Sequence, residues 1–227
     1  MKVLVLGHRG MLGHMVVKYL QHLEVNVITS NNRWPENQTD IYSFNGDYII
    51  NCIGAIPQRT DIFDINWQIP IWLDLHAPCS IIHPGTDRQD GTPYCISKDI
   101  AFNYIKQYSK QTKIIQTSII GPEIQNRTSI FEWFISNDHT TVDGFDNTVW
   151  RGMTTLKWAK LCYDMMCNWG DVSTINTFNC YNSTISKYSL LNVINDVFDK
   201  KAKINKITDI KLIKEQLKEL KEFYYDK

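Results

Sequence analysis

The chain has 227 residues, enough for one well-buried α/β core with a modest appendage and short for two independent domains. Its 24 basic and 24 acidic side chains cancel to a formal net charge of +0, so no global field recruits nucleic acid or an anionic membrane, and an anionic ligand has to be held locally. No apolar run approaches the roughly 20 residues of a membrane span, and the six cysteines form no C-x-x-C pair; a cytoplasmic protein with reduced thiols and no metal site is expected.

Val3 to Leu6 is a continuous apolar run, the pattern of a parallel strand buried on both faces. It feeds a segment with apolar residues at Met11, Leu12, Met15, Val16, Tyr19 and Leu20, which predicts a helix. A second strand is predicted over Val25 to Thr29. Asp40-Ile41 reads as a vestigial strand, yet only six residues, Tyr42 to Asp47, separate it from a strong strand at Tyr48 to Ile53. A parallel crossover takes a dozen or more, so a helix is expected to be missing there. Helical spacing follows at Ile65 to Leu75, Ser97 to Tyr108 and Leu156 to Met166, with strands at Cys79 to His83 and Lys113 to Thr117. The alternation implies an α/β fold of Rossmann type, a doubly wound parallel sheet with helices on both faces.

Beyond Gly121-Pro122 the chain becomes irregular and aromatic (Phe131, Trp133, Phe134, Phe145, Trp150), the expected composition of a small cap over a ligand. Residues 1–121 are therefore expected to form the dinucleotide-binding domain and 122–227 mostly the cap. A helix at 154–168 and a strand at 174–179 would return to the sheet. The tail, Ile210 to Tyr225, reads as a charged amphipathic helix.

Gly7, Gly10 and Gly13 have G-x-x-G-x-x-G spacing directly after a strand and at a helix start, the context in which glycines signify phosphate binding. Gly7 lets the chain turn, Gly10 lets pyrophosphate approach the backbone N–H groups of Met11 and Leu12, and Gly13 lets helix and strand pack closely. An NAD site usually has an acid at the end of the second strand, but here Ile28 is followed by Thr29-Ser30-Asn31-Asn32-Arg33. With no carboxylate there, Arg9 and Arg33 are candidates for a 2′-phosphate, and NADP(H) is favoured over NAD(H); a plain solvated charge is the alternative for each.

Tyr94 and Lys98 are four apart on a predicted helix start after Gly91-Thr92-Pro93, so they share a face. A Y-x-x-x-K pair is expected about once by chance among 11 tyrosines, but this one follows the Cys79 to His83 strand and the Gly85-Thr86-Asp87 loop, where an open sheet places its ligand crevice. To reduce a carbonyl, a phenol with a free pKa of about 10 must give up a proton near neutrality, and an ammonium beside it favours that. Lys98 is the candidate for that role, with Thr86 holding the carbonyl oxygen.

Taken in order, Gly7 to Gly13, Asn51-Cys52-Ile53-Gly54, Thr86-Asp87, Tyr94 to Lys98, Thr117-Ser118-Ile119-Ile120-Gly121 and Trp150-Arg151-Gly152-Met153-Thr154-Thr155 resemble the landmarks of extended short-chain dehydrogenases/reductases, nearest to the dTDP-4-dehydrorhamnose reductase-like members. The resemblance implies a Rossmann domain with a sugar-binding cap, NAD(P)H-dependent reduction of a 4-keto-6-deoxy nucleotide sugar in deoxysugar or polysaccharide biosynthesis, and allows a homodimer. It assigns Thr86, Tyr94 and Lys98 to catalysis. It places Asp40 and Ile41 beside the adenine and Cys52, Ile53, Gly54, Thr117 and Ser118 along the cofactor. Asp87, Arg127, Trp133, Trp150 and Arg151 become candidate contacts for the nucleotide sugar, since an arginine fork suits a diphosphate and an aromatic face suits a base. Departures are the lost helix after Asp40 and the seven-residue link from Thr86 to Tyr94, where relatives have a longer loop. An epimerase or dehydratase of the same superfamily, or a non-catalytic dinucleotide-binding subunit, are the alternatives.

Overall fold

The computed structural model describes residues 1–88, 90–125, 127–136, 138, 140–171 and 185–208. The strand expected at 174–179 and the tail helix lie outside them. In chain order the first elements are β1 (Lys2–Leu6), α1 (Met11–His22), β2 (Asn26–Thr29), α2 (Gln38–Tyr42), β3 (Tyr48–Asn51), α3 (Ile65–His76), β4 (Ser80–Pro84), α4 (Pro93–Tyr108) and β5 (Thr112–Ile115). They are followed by β6 (Ser118–Ile120), α5 (Ile130–Ser136), β7 (Thr141–Phe145), β8 (Val149–Trp150), β9 (Gly152–Thr154), α6 (Thr155–Cys167), β10 (Ile185–Ser186), α7 (Lys187–Val197) and β11 (Lys203–Ile207).

The chain divides into two compact units, Met1–Trp133 with Gly152–Asn182, and Phe134–Arg151 with Ser183–Lys227. The first unit is built on a parallel sheet of order β2-β1-β3-β4-β5. Strand alternation sorts its apolar side chains into two cores. Val3, Val5, Ile50, Ile82 and Ile115 face one way, against Leu12, Val16 and Leu20 of α1 and Trp158, Ala159 and Cys162 of α6. Leu4, Leu6, Ile49 and Ile81 face the other, against Ile41, Phe44, Ile69 and Leu73. Each of these strand residues is at most 1% exposed, a burial worth about 1.5–3 kcal/mol per side chain. A short parallel pair, β6 with β9, completes this unit.

Asp40-Ile41 is not a strand. It lies in α2, a five-residue helix with Ile41 fully buried, so the connection between Thr29 and Tyr48 is one continuous crossover carrying its own short helix. The shortage of residues expected before Tyr48 disappears once those two residues count as connection rather than strand. Helix α4 starts at Pro93, ahead of the apolar periodicity, because Thr92 caps it by accepting from the Cys95 N–H at 3.4 Å and proline suits the first helical position. Cys95 and Cys162 are buried as expected of core thiols, whereas Cys167 is exposed. Among the described residues no helix is long and apolar enough to cross a membrane.

In the second unit β7 runs parallel to β11 and β8 antiparallel to β10. Helix α7 is capped by Ser186, whose hydroxyl accepts from the Ser189 N–H at 3.0 Å. It approaches β7 so closely that a Cβ on Gly144 would come within 2.8 Å of the Tyr188 Cα.

Candidate active site

The site in the first unit forms at the carboxyl ends of β1, β2, β3 and β4. Gly7 leaves β1 with a φ of +72°, and a Cβ on it would lie 2.9 Å from the Cys52 carbonyl. A Cβ on Gly13 would fall 2.2 Å from the Gly7 oxygen, so only glycine lets α1 rise this close to the turn. Gly10 stands at the N-cap of α1. No side chain caps the helix there and its first turn holds no acid, which leaves the positive end of its dipole uncompensated by the first turn's own side chains. A dinucleotide pyrophosphate fits this cradle, and Met11 and the buried Leu12 would present backbone amides to it.

At the end of β2 the structure corrects the expectation of an acid-free pocket. Asp40 comes back from α2 and accepts hydrogen bonds at Oδ2 from the Ser30 hydroxyl and, at 3.0 Å, from the Asn32 amide. A carboxylate therefore stands where the strand itself offers none. Its position ten residues further on, inside a helix, hid it from a search confined to the strand end. Arg9 meets the same segment, donating from Nη2 to Asn31 Oδ1 at 2.9 Å. Arg33 is exposed, and Ile41 is committed to the core with no exposed surface.

Thr86, Tyr94 and Lys98 come together as follows. The Thr86 hydroxyl accepts the Arg88 N–H at 3.3 Å. Burial pushes the Tyr94 phenol up from its ordinary value, and the neighbouring Thr86 hydroxyl acts against that rise. Lys98, 7% exposed, donates from Nζ to the Pro84 carbonyl at 3.3 Å, and burial lowers its ammonium to about 8. A Cβ on Gly54 would sit 3.5 Å from that nitrogen. Among the charged neighbours that shift Tyr94, the cation is Arg88, with its guanidinium carbon 6.0 Å from the ring centre, while the field of Lys98 falls on His83.

Two supporting residues, His83 and Asn66, were not singled out in the sequence. Asn51 and His83 share a buried hydrogen bond of 3.0 Å between Nδ2 and Nδ1, and Asn51 Oδ1 also accepts the Ile53 N–H. Asn66, fully buried, bonds both backbone groups of Ala55 and the Ser97 hydroxyl, tying the β3 loop to α4. The legible signal was one histidine inside the apolar run Ser80–Pro84. Thr117 is buried, and Ser118 donates to Asp87 Oδ1 at 2.7 Å, which engages the predicted substrate contact Asp87. Arg127, exposed, and Trp133 belong to this unit, Trp150 and Arg151 to the other, so the four are described separately.

The five-stranded parallel sheet and its glycine turn define an α/β fold of Rossmann type. Solved structures with this fold include a dTDP-4-dehydrorhamnose reductase from Bacillus anthracis in complex with NADP, at a TM-score of 0.72 and 13% identity, with 91% of this chain and 84% of that one covered. A hypothetical dTDP-4-dehydrorhamnose reductase from Sulfolobus tokodaii aligns at 0.69 and 17% over 93% and 87%. A UDP-rhamnose synthase from Acanthamoeba polyphaga mimivirus aligns at 0.70 and 16% over 100% and 94%. At these identities the likeness is one of fold. No family model matches the sequence, and neither does any curated protein.

Proposed function

We propose that the chain is an NAD(P)H-dependent reductase of a 4-keto-6-deoxy nucleotide sugar. The observation that carries this reading is that Thr86, Tyr94 and Lys98 gather at the carboxyl end of β4, the Thr86 hydroxyl favouring the ionised Tyr94 phenol and Lys98 held in the protein interior on the Pro84 carbonyl. When bound, the nicotinamide supplies the hydride. Thr86 orients the substrate carbonyl oxygen, Tyr94 gives that oxygen its proton, and Lys98, anchored on Pro84, reaches the nicotinamide ribose. Gly7, Gly10 and Gly13 admit the pyrophosphate, and Arg9 and Asp40 meet the adenosine ribose, the arginine favouring NADP(H) and the carboxylate opposing it. A dehydratase needs spare carboxylates near Thr86. Asp87 is engaged by Ser118 and Asp90 by Arg88 and Thr92, which favours reduction.

The test is Tyr94→Phe. The variant is expected to keep the rise in melting temperature on adding NADPH or NADH, and to lose roughly 100-fold or more of the nucleotide oxidation driven by a 4-keto-6-deoxy nucleotide sugar. A wild type that binds dinucleotide yet oxidises none with any such sugar favours the non-catalytic reading. A melting point unmoved by either dinucleotide defeats the cofactor assignment itself.

A further inference from the structure

The link from Thr86 to Tyr94 is short, and it turns Arg88 back onto the tyrosine. The Arg88 N–H is bonded to the Thr86 hydroxyl, and the guanidinium carbon lies 6.0 Å from the Tyr94 ring centre. The guanidinium does not reach there freely. Its Nε donates to Asp90 Oδ2 at 3.0 Å and its Nη2 bonds the same oxygen. Asp90 is itself fixed by its other oxygen, which accepts the Thr92 N–H at 3.2 Å and the Thr92 hydroxyl at 2.7 Å, at the cap of the helix that carries Tyr94. Thr92, Asp90 and Arg88 thus form a brace from the start of α4 to the face of its own second residue. On another side the ring meets Phe63, edge to face at 5.8 Å between centres.

We propose that Arg88 is a positioning residue for Tyr94: braced by Asp90, it holds the ring beside Thr86 and supplies the fixed positive charge that a phenolate needs when the proton leaves. Lys98, for its part, donates to the Pro84 carbonyl. The groups that bear on the phenol are Thr86, Asp87 and Arg88 from the loop and Cys95 from α4. Arg88 and the Thr86 hydroxyl favour the ionised form, whereas Asp87 and Cys95 oppose it. The catalytic consequence rests on the reductase reading, but the electrostatic one stands apart from it.

The experiment places 3-fluorotyrosine at position 94 alone and follows its fluorine resonance against pH in the unliganded protein, where the lowered titration keeps the fold intact. Arg88→Gln is expected to raise the midpoint by about half to one pH unit, Arg88→Lys to leave most of it in place, and added salt to shrink the difference. Arg88 has a half-exposed side chain, so both variants fold. In turnover, Arg88→Gln is expected to lower kcat and leave the KM for the dinucleotide unchanged. An unmoved midpoint in Arg88→Gln overturns the proposal. A shifted midpoint in a protein that reduces no keto sugar keeps Arg88 in this role and removes only the reductase reading.

Discussion

Asp40 and Arg9 anchor on adjacent residues of the stretch that follows β2, Asp40 accepting from Ser30 and Asn32 and Arg9 donating to Asn31 between them. A carboxylate there bonds ribose hydroxyls and repels a 2′-phosphate, while a guanidinium attracts one. Asp40→Asn is therefore expected to raise the ratio of kcat/KM for NADPH over NADH by roughly tenfold, and Arg9→Ala to lower it by a similar factor. The same ratio in wild type and both variants would remove these residues from cofactor choice. Thr86, Tyr94 and Lys98 were legible at this scale because Tyr94 and Lys98 are near in sequence and follow a strand. The brace from Asp90 through Arg88 was not, since both side chains stay exposed in the fold and charged loop residues of that kind read as solvated.

Strands β1, β3 and β4 were legible because they are sandwiched between two cores, so their central residues form continuous apolar runs. Strand β2, at the sheet edge, alternates between exposed and half-buried positions and was still visible by its valine and isoleucine. Misreading α2 as a strand has a physical reason: with a single buried residue it has no repeat, and helical periodicity needs at least two turns to register. The strands of the second unit are two to five residues long; β7 alternates exposed and buried positions, but its buried sites are Val142 and Gly144 and its exposed end is Phe145, so the apolar alternation does not show in its sequence. Where helix meets turn, the sequence and the packing agree. In Gly13→Ala the methyl group meets the Gly7 oxygen at 2.2 Å and the His8 Cα at 2.9 Å, both backbone, so α1 has to move off β1. A loss of about 1–3 kcal/mol is expected, read as a lower urea midpoint with an unchanged slope, together with weakened dinucleotide binding. A midpoint equal to wild type would show that the contact between α1 and the turn is slack.

For the molecule as a whole, buried titratable groups make stability depend on pH. Burial, and then the charge of Lys98, hold His83 well below the ordinary 6.5, so the folded chain keeps it neutral. Below about pH 6.5 the unfolded chain takes up a proton that the folded chain does not, and stability falls as pH falls, by up to about 1.4 kcal/mol per pH unit for this group. His8, lowered by burial and Arg9, acts in the same direction. Lys98 works at the alkaline end: between about 8 and 10.5 only the unfolded chain keeps the proton, so its burial destabilises the fold less as pH rises. Urea denaturation of wild type and His83→Gln between pH 5 and 7 is expected to give a shallower acid loss in the variant. Equal slopes would mean that His83 takes up its proton in the folded state.

The bare start of α1 also bears on how the protein lives in a cell. On the proposed reading, a dinucleotide whose pyrophosphate rests at Gly10 would complete a helix start that no side chain caps. Because it would bind only the folded form, its concentration would add to stability by mass action, and nucleotide supply would act as a chaperone before any substrate arrives.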